Sequence, residues 1–372
     1  FRQEYRMAGC SCIAGTFKKD EGCKVKKIIQ IGEKCIGKDQ PTYIVAEMSA
    51  NHNMDFERAK AIIKSAAESG ADAIKIQTYT PDTITIESDK PAFRTKGIWE
   101  GRTLYELYGK AYTPWEWQAE LQSYAHDCGI EFFSSPFDLT SVDFLEDLDV
   151  PVYKVASFEI NDIPFIRKIA KTGKPIIMST GIAYLEDIDL AVRTCLEEGN
   201  DQVVLLKCIS SYPAPYENMN LNVIPNMTQT FDCICGLSDH SMGTEIAVAA
   251  VALGAKVIEK HFTLCRADGG EDSQFSMEPY EFKTMVQQIR NVEKALGRVT
   301  YELNDAQIDS RIYSRSLFVV KDIKAGDVFT PENVRSIRPG IGMHTKYWDS
   351  ILGKCARCDI EKGTPMDWKY VE

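Results

Sequence analysis

Short apolar runs rich in β-branched residues alternate with longer segments of helical periodicity from Tyr43 to about Leu296. Most runs are followed by a helical segment, and segments such as "FERAKAIIKSAAESG" end in glycine, as helices often do. Eight strand–helix units over roughly 255 residues are typical of an α/β fold of the (β/α)8 TIM-barrel type. A doubly wound sheet is the alternative, but its usual glycine-rich first turn is absent from "AEMSANHN". The predicted strands are "YIVAE" (43–47), "AIKIQ" (73–77), "EFFSSPF" (131–137), "VYKVAS" (152–157), "PIIMST" (175–180), "VVLLKCIS" (203–210), "CICGLS" (233–238) and "VIEKHF" (257–262).

The strand–helix alternation stops near residue 303, and this divides the chain. We predict a barrel over 24–303, a linker over 304–314 and a small second domain over 315–372. The turn signals "KAGD" and "TPEN" indicate that the second domain is β-rich. Residues 1–23 are an N-terminal extension to which no role is assigned. The long connection 78–114 carries aromatic residues, and we interpret it as a substrate-covering loop because loops of this length are usually functional or disordered.

Polar side chains interrupt the predicted strands near their C-terminal ends, where the active sites of such barrels lie. Lys75 and Gln77 are two residues apart and so share one face of their strand, as do Glu259 and His261. Because a polar side chain inside an apolar strand is costly unless it lines a site, we expect one active site at these ends. The polar positions are Glu47, Lys75, Gln77, Ser134, Ser135, Lys154, Ser157, Ser179, Thr180, Lys207, Ser210, His240, Glu259 and His261.

Composition and charge narrow the class of protein. The net charge is −11 at pH 7 and no basic stripe is present, so nucleic acid is not an expected partner. No apolar stretch reaches the roughly 18 residues of a membrane-spanning helix, and the N-terminus lacks the apolar core of a signal peptide. We therefore expect a cytoplasmic protein with no membrane partner and with reduced cysteines. Three of the twelve cysteines, Cys208, Cys233 and Cys235, fall in predicted strands and are expected to be buried.

The other cysteines raise the question of a metal or redox site. Cys10, Cys12, Cys23 and Cys35 could bind zinc, but their spacing fits no common zinc pattern. Cys355 and Cys358 form a CxxC pair without a second half, which is a weak signal for a metal or redox role. The function of both groups stays open at the level of sequence.

His240 and His261 end the last two predicted strands, which are neighbours in a closed barrel. Neutral imidazole suits Mn, Fe and Zn ions, so the two histidines form a candidate metal pair; the alternative is two structural core histidines. Lys75, Lys154, Lys207 and Arg338 could form the cationic pocket that a net-acidic enzyme needs for a phosphate or carboxylate. A surface charge, or a Schiff base for a barrel lysine, is the competing interpretation.

Three further features bear on the site, and two of them have two interpretations. Glu47 could be a general base or the partner of a lysine in a structural ion pair. The segment "STGIAYLED" starts a helix after Thr180 and Gly181, and the N–H groups at a helix start can bind an anion. His52 could contact substrate or stabilise the entry to a helix.

Several motifs together resemble the sialic acid synthase family: "AEMSANHN", "ADAIKIQTYTPDTIT", "FSSPFD", "YKVASFEI", "STG", "SSYPAP", "GLSDHS", "EKHF" and "RPGIG". The resemblance runs from about Lys24 to the C-terminus. It implies a (β/α)8 barrel followed by an antifreeze-like (SAF) domain, in a domain-swapped homodimer. It also implies condensation of phosphoenolpyruvate with an amino sugar to give a nonulosonic acid.

The resemblance also implies roles for individual residues. It places a divalent metal, usually Mn2+ with Mg2+ or Co2+ as alternatives, on His240 and His261. Catalytic roles fall on Glu47, Lys75, Lys154 and Glu259. Phosphoenolpyruvate-binding roles fall on Lys75, Ser135, Lys154, Ser157, Ser179, Thr180 and Gly181. Sugar-binding roles fall on Gln77, Ser210, Tyr212, Asp272 and, from the partner chain, Arg338.

Within the family, "SANHN" and "QTYTPDTIT" resemble the pseudaminic acid synthase branch. The N-acetylneuraminate synthases tend to carry "CTNxYP" where this chain has "CISSYP", so Ser210 stands where an Asn contacts the sugar. This favours 2,4-diacetamido-2,4,6-trideoxy-altropyranose as acceptor, with the precursors of N-acetylneuraminate or legionaminic acid as alternatives. A metal-dependent hydrolase on the same fold and a non-catalytic sugar- or ice-binding protein are the more distant alternatives.

Overall fold

A computed structural model of the chain describes residues 24–372. The chain divides into two compact units between Gly297 and Arg298. The predicted boundary at residue 303 therefore falls within the second unit. The predicted extension 1–23, with Cys10, Cys12 and Cys23, lies outside the described residues.

The first unit is built on a closed barrel of eight strands in which all neighbours are parallel. This confirms the predicted (β/α)8 fold and excludes the doubly wound sheet. Strand β10 pairs with both β3 and β9 and so closes the barrel. The barrel strands are β3 (Tyr43–Glu47), β4 (Ala73–Thr78), β5 (Glu131–Pro136), β6 (Tyr153–Val155), β7 (Ile176–Ser179), β8 (Val203–Cys208), β9 (Ile234–Asp239) and β10 (Val257–His261).

An antiparallel hairpin that the sequence did not predict precedes the barrel. It consists of β1 (Ile28–Ile31) and β2 (Lys34–Gly37), joined by a turn in which Gly32 has a φ of +54°. Ile29, Ile31 and Ile36 are fully buried and belong to one apolar cluster with inward-facing barrel residues such as Val45. The hairpin therefore packs against the end of the barrel opposite the C-terminal ends of the strands.

Helices surround the barrel and bury the outward-facing residues of the strands, among them Ile44, Ile74 and Phe132. Cys208, Cys233 and Cys235 are buried, as predicted. Within residues 24–372, no helix is long and apolar enough to cross a membrane. The helices of the first unit are α1 (Phe56–Glu68), α2 (Pro81–Ile84), α3 (Leu104–Ala111), α4 (Trp115–Asp127), α5 (Leu139–Asp147), α6 (Ile163–Lys171), α7 (Leu185–Glu197), α8 (Val223–Phe231), α9 (Glu245–Ala252) and α10 (Pro279–Leu296).

The long connection between β4 and α4 is folded rather than irregular. It contains α2 and α3, and Thr103 begins α3 with a capping box in which its hydroxyl accepts from Glu106 N at 3.1 Å. Before α3 the backbone makes a tight loop, closed where Thr95 N donates to Arg102 O at 3.0 Å. We call residues 79–111 the lid.

The second unit has a small apolar core of its own, which includes Leu317, Phe329 and Ile351. Strand β11 (Ser316–Val319) pairs antiparallel with β12 (Val334–Ile337), and several isolated bridges extend the β-structure as predicted. The predicted linker forms helix α11 (Asp305–Ser310), and a short helix α12 (Trp348–Ile351) follows β12.

Candidate active site

A cavity of about 540 Å³ lies at the C-terminal ends of the barrel strands. The inward-facing polar residues at the ends of the strands line this cavity. Toward the N-terminal end of each strand, the inward-facing residues are apolar. The structure thus brings together the predicted residues Glu47, Lys75, Gln77, Ser135, Lys154, Ser157, Ser179, Tyr212, His240, Glu259, His261 and Asp272.

Two buried lysines and two buried carboxylates form the charged floor of the cavity. Lys75 Nζ lies 2.6 Å from Glu47 Oε2 and 3.7 Å from Glu259 Oε1. Lys154 Nζ lies 3.8 Å from the same Glu259 oxygen and donates to Ser179 Oγ at 2.6 Å. Lys75 also donates to Ser135 Oγ at 3.2 Å. Cations and hydroxyls held this closely are suited to binding an anion with several oxygens.

The two carboxylates of this floor have opposite electrostatic environments. Burial raises the pKa of Glu47 above its usual value, although Lys75 opposes the rise. Burial also disfavours the charge of Glu259, but Lys154 and Lys75 outweigh it, so the pKa of Glu259 is lowered. Glu259 therefore stays ionised as the counter-charge of the lysines, while the raised pKa of Glu47 makes it the better proton acceptor of the two.

His240 and His261 stand side by side, with ring centroids 5.3 Å apart. His240 Nδ1 lies 2.9 Å from Ile209 O and so carries the proton, which leaves Nε2 free as an acceptor. His261 Nδ1 is buried and has no hydrogen-bond partner among the described residues. Burial holds the pKa of His261 well below its usual value.

These features fit a metal held by two neutral imidazoles with positions left for substrate oxygens and water. Within residues 24–372, no group of three or more His, Cys, Asp or Glu side chains is arranged to hold a metal ion. A metal here would therefore take the rest of its ligands from solvent and substrate. The metal remains a prediction.

An aromatic wall, which the sequence did not predict as such, flanks the histidines. The ring of Tyr212 lies 4.4 Å from that of His240 and 5.0 Å from that of Phe275. Trp99 of the lid contacts the ring of Tyr212, with centroids 5.8 Å apart. The cavity thus has one polar side and one aromatic side.

Gln77 and Asp272, both predicted to contact sugar, are fixed through Ser49. Gln77 Nε2 donates to Glu47 Oε1 at 3.1 Å and to Ser49 Oγ at 2.9 Å. Ser49 Oγ in turn donates to Asp272 Oδ2 at 2.5 Å. Burial raises the pKa of Asp272. The network joins the end of the first barrel strand to the loop after the last one.

Three predicted residues lie behind the cavity wall rather than on it. Thr180 Oγ1 donates to Leu206 O at 3.1 Å, and Gly181 N donates to Ser157 Oγ at 3.1 Å. Ser210 Oγ is buried without a hydrogen-bond partner among the described residues. A Cβ at Gly181 would lie 2.2 Å from Ser210 Oγ, so the glycine allows this close approach. Their predicted binding roles remain predictions.

Some residues of the cavity were missed at the level of sequence, and alternation would have found two of them. Ser49 lies two positions after Glu47, and Ser238 lies two positions before His240 and donates to Glu259 Oε1 at 3.1 Å. Glu159 lines the cavity just beyond β6, where no strand periodicity points to it. His52 does not line the cavity: its Nδ1 accepts from Met54 N at 3.1 Å, which fits a role in helix entry.

Arg338 lies in the second unit, on the loop that follows β12. It is exposed, and no hydrogen bond or ion pair to it occurs within residues 298–372. Its predicted contact with a partner's sugar site therefore remains a prediction.

Two features define the class of protein: a barrel with a polar cavity at the C-terminal ends of its strands, and a small β-rich unit that follows it in the sequence. The NeuB family model matches residues 62–301 and the SAF domain model matches residues 314–372, so the chain belongs to the NeuB family. It is 48% identical over 339 residues to a pseudaminic acid synthase of Campylobacter jejuni, covering 91% of this chain and 98% of that protein.

Two relatives with lower sequence identity provide a comparison for this similarity. An N,N'-diacetyllegionaminic acid synthase of the same species is 38% identical over 85% of this chain and 96% of its own length. The crystal structure of the spore coat polysaccharide biosynthesis protein SpsE from Bacillus subtilis is similar with a TM-score of 0.64 and 33% identity, over 93% of this chain and 99% of that one. The chain thus shares the family's architecture over most of its length and has greater identity to the pseudaminic acid synthase than to the legionaminic acid synthase.

Proposed function

We propose that this chain is a pseudaminic acid synthase, which condenses phosphoenolpyruvate with 2,4-diacetamido-2,4,6-trideoxy-altropyranose and releases phosphate. The observation that carries the proposal is the juxtaposition of two kinds of site in one cavity. Lys75 and Lys154 offer charge to an anionic substrate, and His240 and His261 offer free imidazole nitrogens beside them. The 48% identity to a pseudaminic acid synthase supports the choice of sugar.

The reaction forms one C–C bond and breaks one C–O bond. C3 of phosphoenolpyruvate attacks the aldehyde carbon of the open-chain sugar, whose oxygen takes up a proton, and the cation at C2 adds water. Glu47, with its raised pKa, accepts the proton that this water loses. The tetrahedral intermediate then expels phosphate, with its C–O bond broken and the C2 ketone formed.

The remaining residues act on charge and orientation. Lys75 and Lys154 stabilise the negative charge of the phosphate and carboxylate groups, and Glu259 keeps both lysines in place. A divalent ion on His240 and His261, with Mn2+ preferred over Mg2+ or Co2+, would supply Lewis acidity to the aldehyde oxygen. Gln77 and Asp272 are placed to orient sugar hydroxyls or amides.

The proposal extends to assembly and location. We propose a domain-swapped homodimer in which Arg338 of one chain reaches the sugar in the partner's barrel; its exposure and lack of partners within its own unit support this. We also propose a cytoplasmic location. The cysteines of the described part of the chain are free thiols, as a reducing compartment would keep them.

The first test is phosphate release from phosphoenolpyruvate with Mn2+, with and without EDTA. The altro-configured diacetamido sugar, the legionaminic acid precursor and N-acetylmannosamine serve as parallel acceptors. We expect turnover with the altro sugar, loss of turnover with EDTA and recovery when Mn2+ is restored. Turnover with N-acetylmannosamine alone would leave the fold assignment intact and overturn the proposed acceptor.

The metal role is tested by His240→Ala, which removes one of two protein ligands. We expect loss of at least 100-fold in turnover, in line with the cost of disturbing metal sites, and loss of Mn2+ binding in a calorimetric titration. His126→Ala is the matched control, because His126 is half exposed on α4, away from the cavity. Full activity or unchanged Mn2+ affinity in His240→Ala would contradict the metal role.

A further inference from the structure

The lid holds one large aromatic side chain over the cavity by several independent contacts. Trp99 Nε1 donates to Glu271 O at 3.0 Å, and Arg102 Nη1 lies 2.5 Å from Glu271 Oε1. The Thr95 hydroxyl donates to Trp99 O at 2.5 Å and to Arg102 O at 2.9 Å, so the loop that carries the indole is closed on itself. The indole therefore has a fixed position relative to the loop that also carries Asp272.

The indole continues the aromatic wall outward from the histidines. Tyr212 lies between His240 and Trp99, with ring centroids 4.4 Å and 5.8 Å away, respectively. Trp99 also lines the cavity itself. A molecule whose reacting carbon lies beside His240 and whose chain points away from the barrel floor therefore passes along Tyr212 and reaches Trp99 with its far end.

We propose that Trp99 is a specificity-determining residue that recognises the C6 methyl group of the acceptor sugar. The inference rests on the proposed function, which places C1 of a 6-deoxy sugar beside the histidines. The face of an indole offers apolar contact and no hydrogen-bond acceptor. A methyl group gains by burial against it, whereas a C6 hydroxyl would lose hydrogen bonds with water and gain none from the indole face itself.

The proposal explains a feature that the chemistry of condensation does not require. Bond formation takes place at C1, and the polar residues of the floor are sufficient to bind phosphoenolpyruvate. The lid brings Tyr79 and Tyr108 to the cavity as well, but Trp99 is the one that contacts Tyr212 and is held in place by Glu271. Selectivity of this kind, for one apolar group in a pocket, is usually worth roughly ten- to a hundred-fold in kcat/KM.

The test uses two acceptors that differ only at C6: the 6-deoxy altro sugar and its 6-hydroxy counterpart. We expect wild-type enzyme to prefer the 6-deoxy sugar by roughly ten- to a hundred-fold in kcat/KM. Trp99→Ala should reduce this preference to within about threefold, mainly through a higher KM for the 6-deoxy sugar, with the KM for phosphoenolpyruvate unchanged. Trp99→Phe keeps an aromatic face but loses the N–H, and should keep most of the preference.

Tyr105→Ala is the matched control, because Tyr105 is an aromatic residue of the same lid that bonds Asp82 and does not line the cavity. It should leave the preference unchanged. Trp99→Ala that slows both sugars equally, with the preference retained, would overturn the specificity role and indicate a lid-closing role only. Wild-type enzyme that converts neither diacetamido sugar would instead overturn the proposed function and this inference with it.

Discussion

Glu159 shows how strongly burial acts on a single side chain of the cavity. Its carboxylate oxygen Oε2 is buried without a hydrogen-bond partner among the described residues. Burial raises the pKa of Glu159 to about 7, with Lys154 opposing and Asp162 adding to the rise. The model-peptide value is 4.5, so the folded protein binds this proton more tightly than the unfolded chain does.

The sign of the effect on stability follows from that difference. Below about pH 4.5 the group is protonated in both states and has no effect. As pH rises toward 7, the unfolded chain releases the proton first, so the folded state loses stability. The loss is complete above the folded pKa.

We therefore predict that Glu159→Gln raises the free energy of unfolding by about 3 kcal/mol at pH 8 and has little effect near pH 4.5. Urea unfolding of both proteins across this pH range measures it. Glu186→Gln is the control, because Glu186 is exposed on α7 and should change nothing. A stability difference that does not vary with pH would contradict the raised pKa.

Single residues of the site could be predicted where strand periodicity reaches them. Glu47, Lys75 and Glu259 were found because each breaks an apolar strand on its inward face. Glu159 and Trp99 were not found as site residues, because their positions are set by loops whose paths the local sequence does not determine.

At the scale of elements, an ion pair between β9 and β10 fixes the strand ends that carry His240 and His261. The two paired side chains point away from the cavity. Lys260 and Asp239 are paired in register across the two strands, with Nζ 2.6 Å from Oδ2. Lys260 Nζ also donates to Ser241 O at 2.5 Å. Since Asp239 and Ser241 flank His240 in sequence, one buried lysine fixes the backbone on both sides of a predicted metal ligand.

We predict that Lys260→Met destabilises the protein by roughly 3–5 kcal/mol, because it leaves Asp239 buried without its counter-charge. Mn2+ affinity should fall as well, since His240 loses its fixed backbone. Urea unfolding and calorimetric titration measure the two effects. Lys64→Met, on the exposed side of α1, is the control; equal stability of the two variants would refute the role of the pair.

The barrel strands could be predicted within about two residues at most ends, because eight apolar β-branched runs each have a clear start. The β1–β2 hairpin was missed because its strands have four residues each and stand among lysines. Its apolar residues are buried mainly because they pack against the barrel, and the local sequence pattern does not indicate that contact. Helix α2 of the lid was missed for a similar reason, because it has only four residues.

At the scale of the whole molecule, the proposed dimer makes each active site a product of two chains. Arg338 belongs to the second unit, whereas Lys75 belongs to the first. If each barrel uses the partner's Arg338, then Arg338→Ala in one chain and Lys75→Ala in the other damage the same site of a mixed dimer. One site of that dimer then retains both residues.

We predict that Arg338→Ala and Lys75→Ala are each nearly inactive alone, and that their co-expression restores roughly a quarter of wild-type activity. Half of randomly formed symmetric dimers are mixed, and each mixed dimer has one intact site of two. Co-expression of Lys75→Ala with Lys154→Ala is the control, because both lysines belong to the first unit and no site of a mixed dimer then retains both, so no activity should return. No restored activity, with mixed dimers present, would contradict the exchange of Arg338.

The two-domain organisation could be predicted from sequence because the strand–helix rhythm ends where turn-rich sequence begins. The compact second unit begins at Arg298, and residues 298–303 form no helix or strand that would mark this boundary in the sequence. Assembly lies beyond strand and helix patterns altogether, because it depends on surfaces that only the folded units form.

The β1–β2 hairpin at the N-terminal end of the barrel determines the route by which substrates and products enter and leave the cavity. Val45, Phe133 and Ile177 fill the interior below the charged floor and are fully buried, so the catalytic chamber is a blind one. Everything that enters or leaves must use the mouth under the lid. The proposed function binds phosphoenolpyruvate to the lysines of this floor, so it has to enter the cavity before the sugar does. After the reaction, phosphate left on the floor can leave only once the sugar product has left. Because the barrel is closed at one end, substrate binding and product release are expected to be ordered.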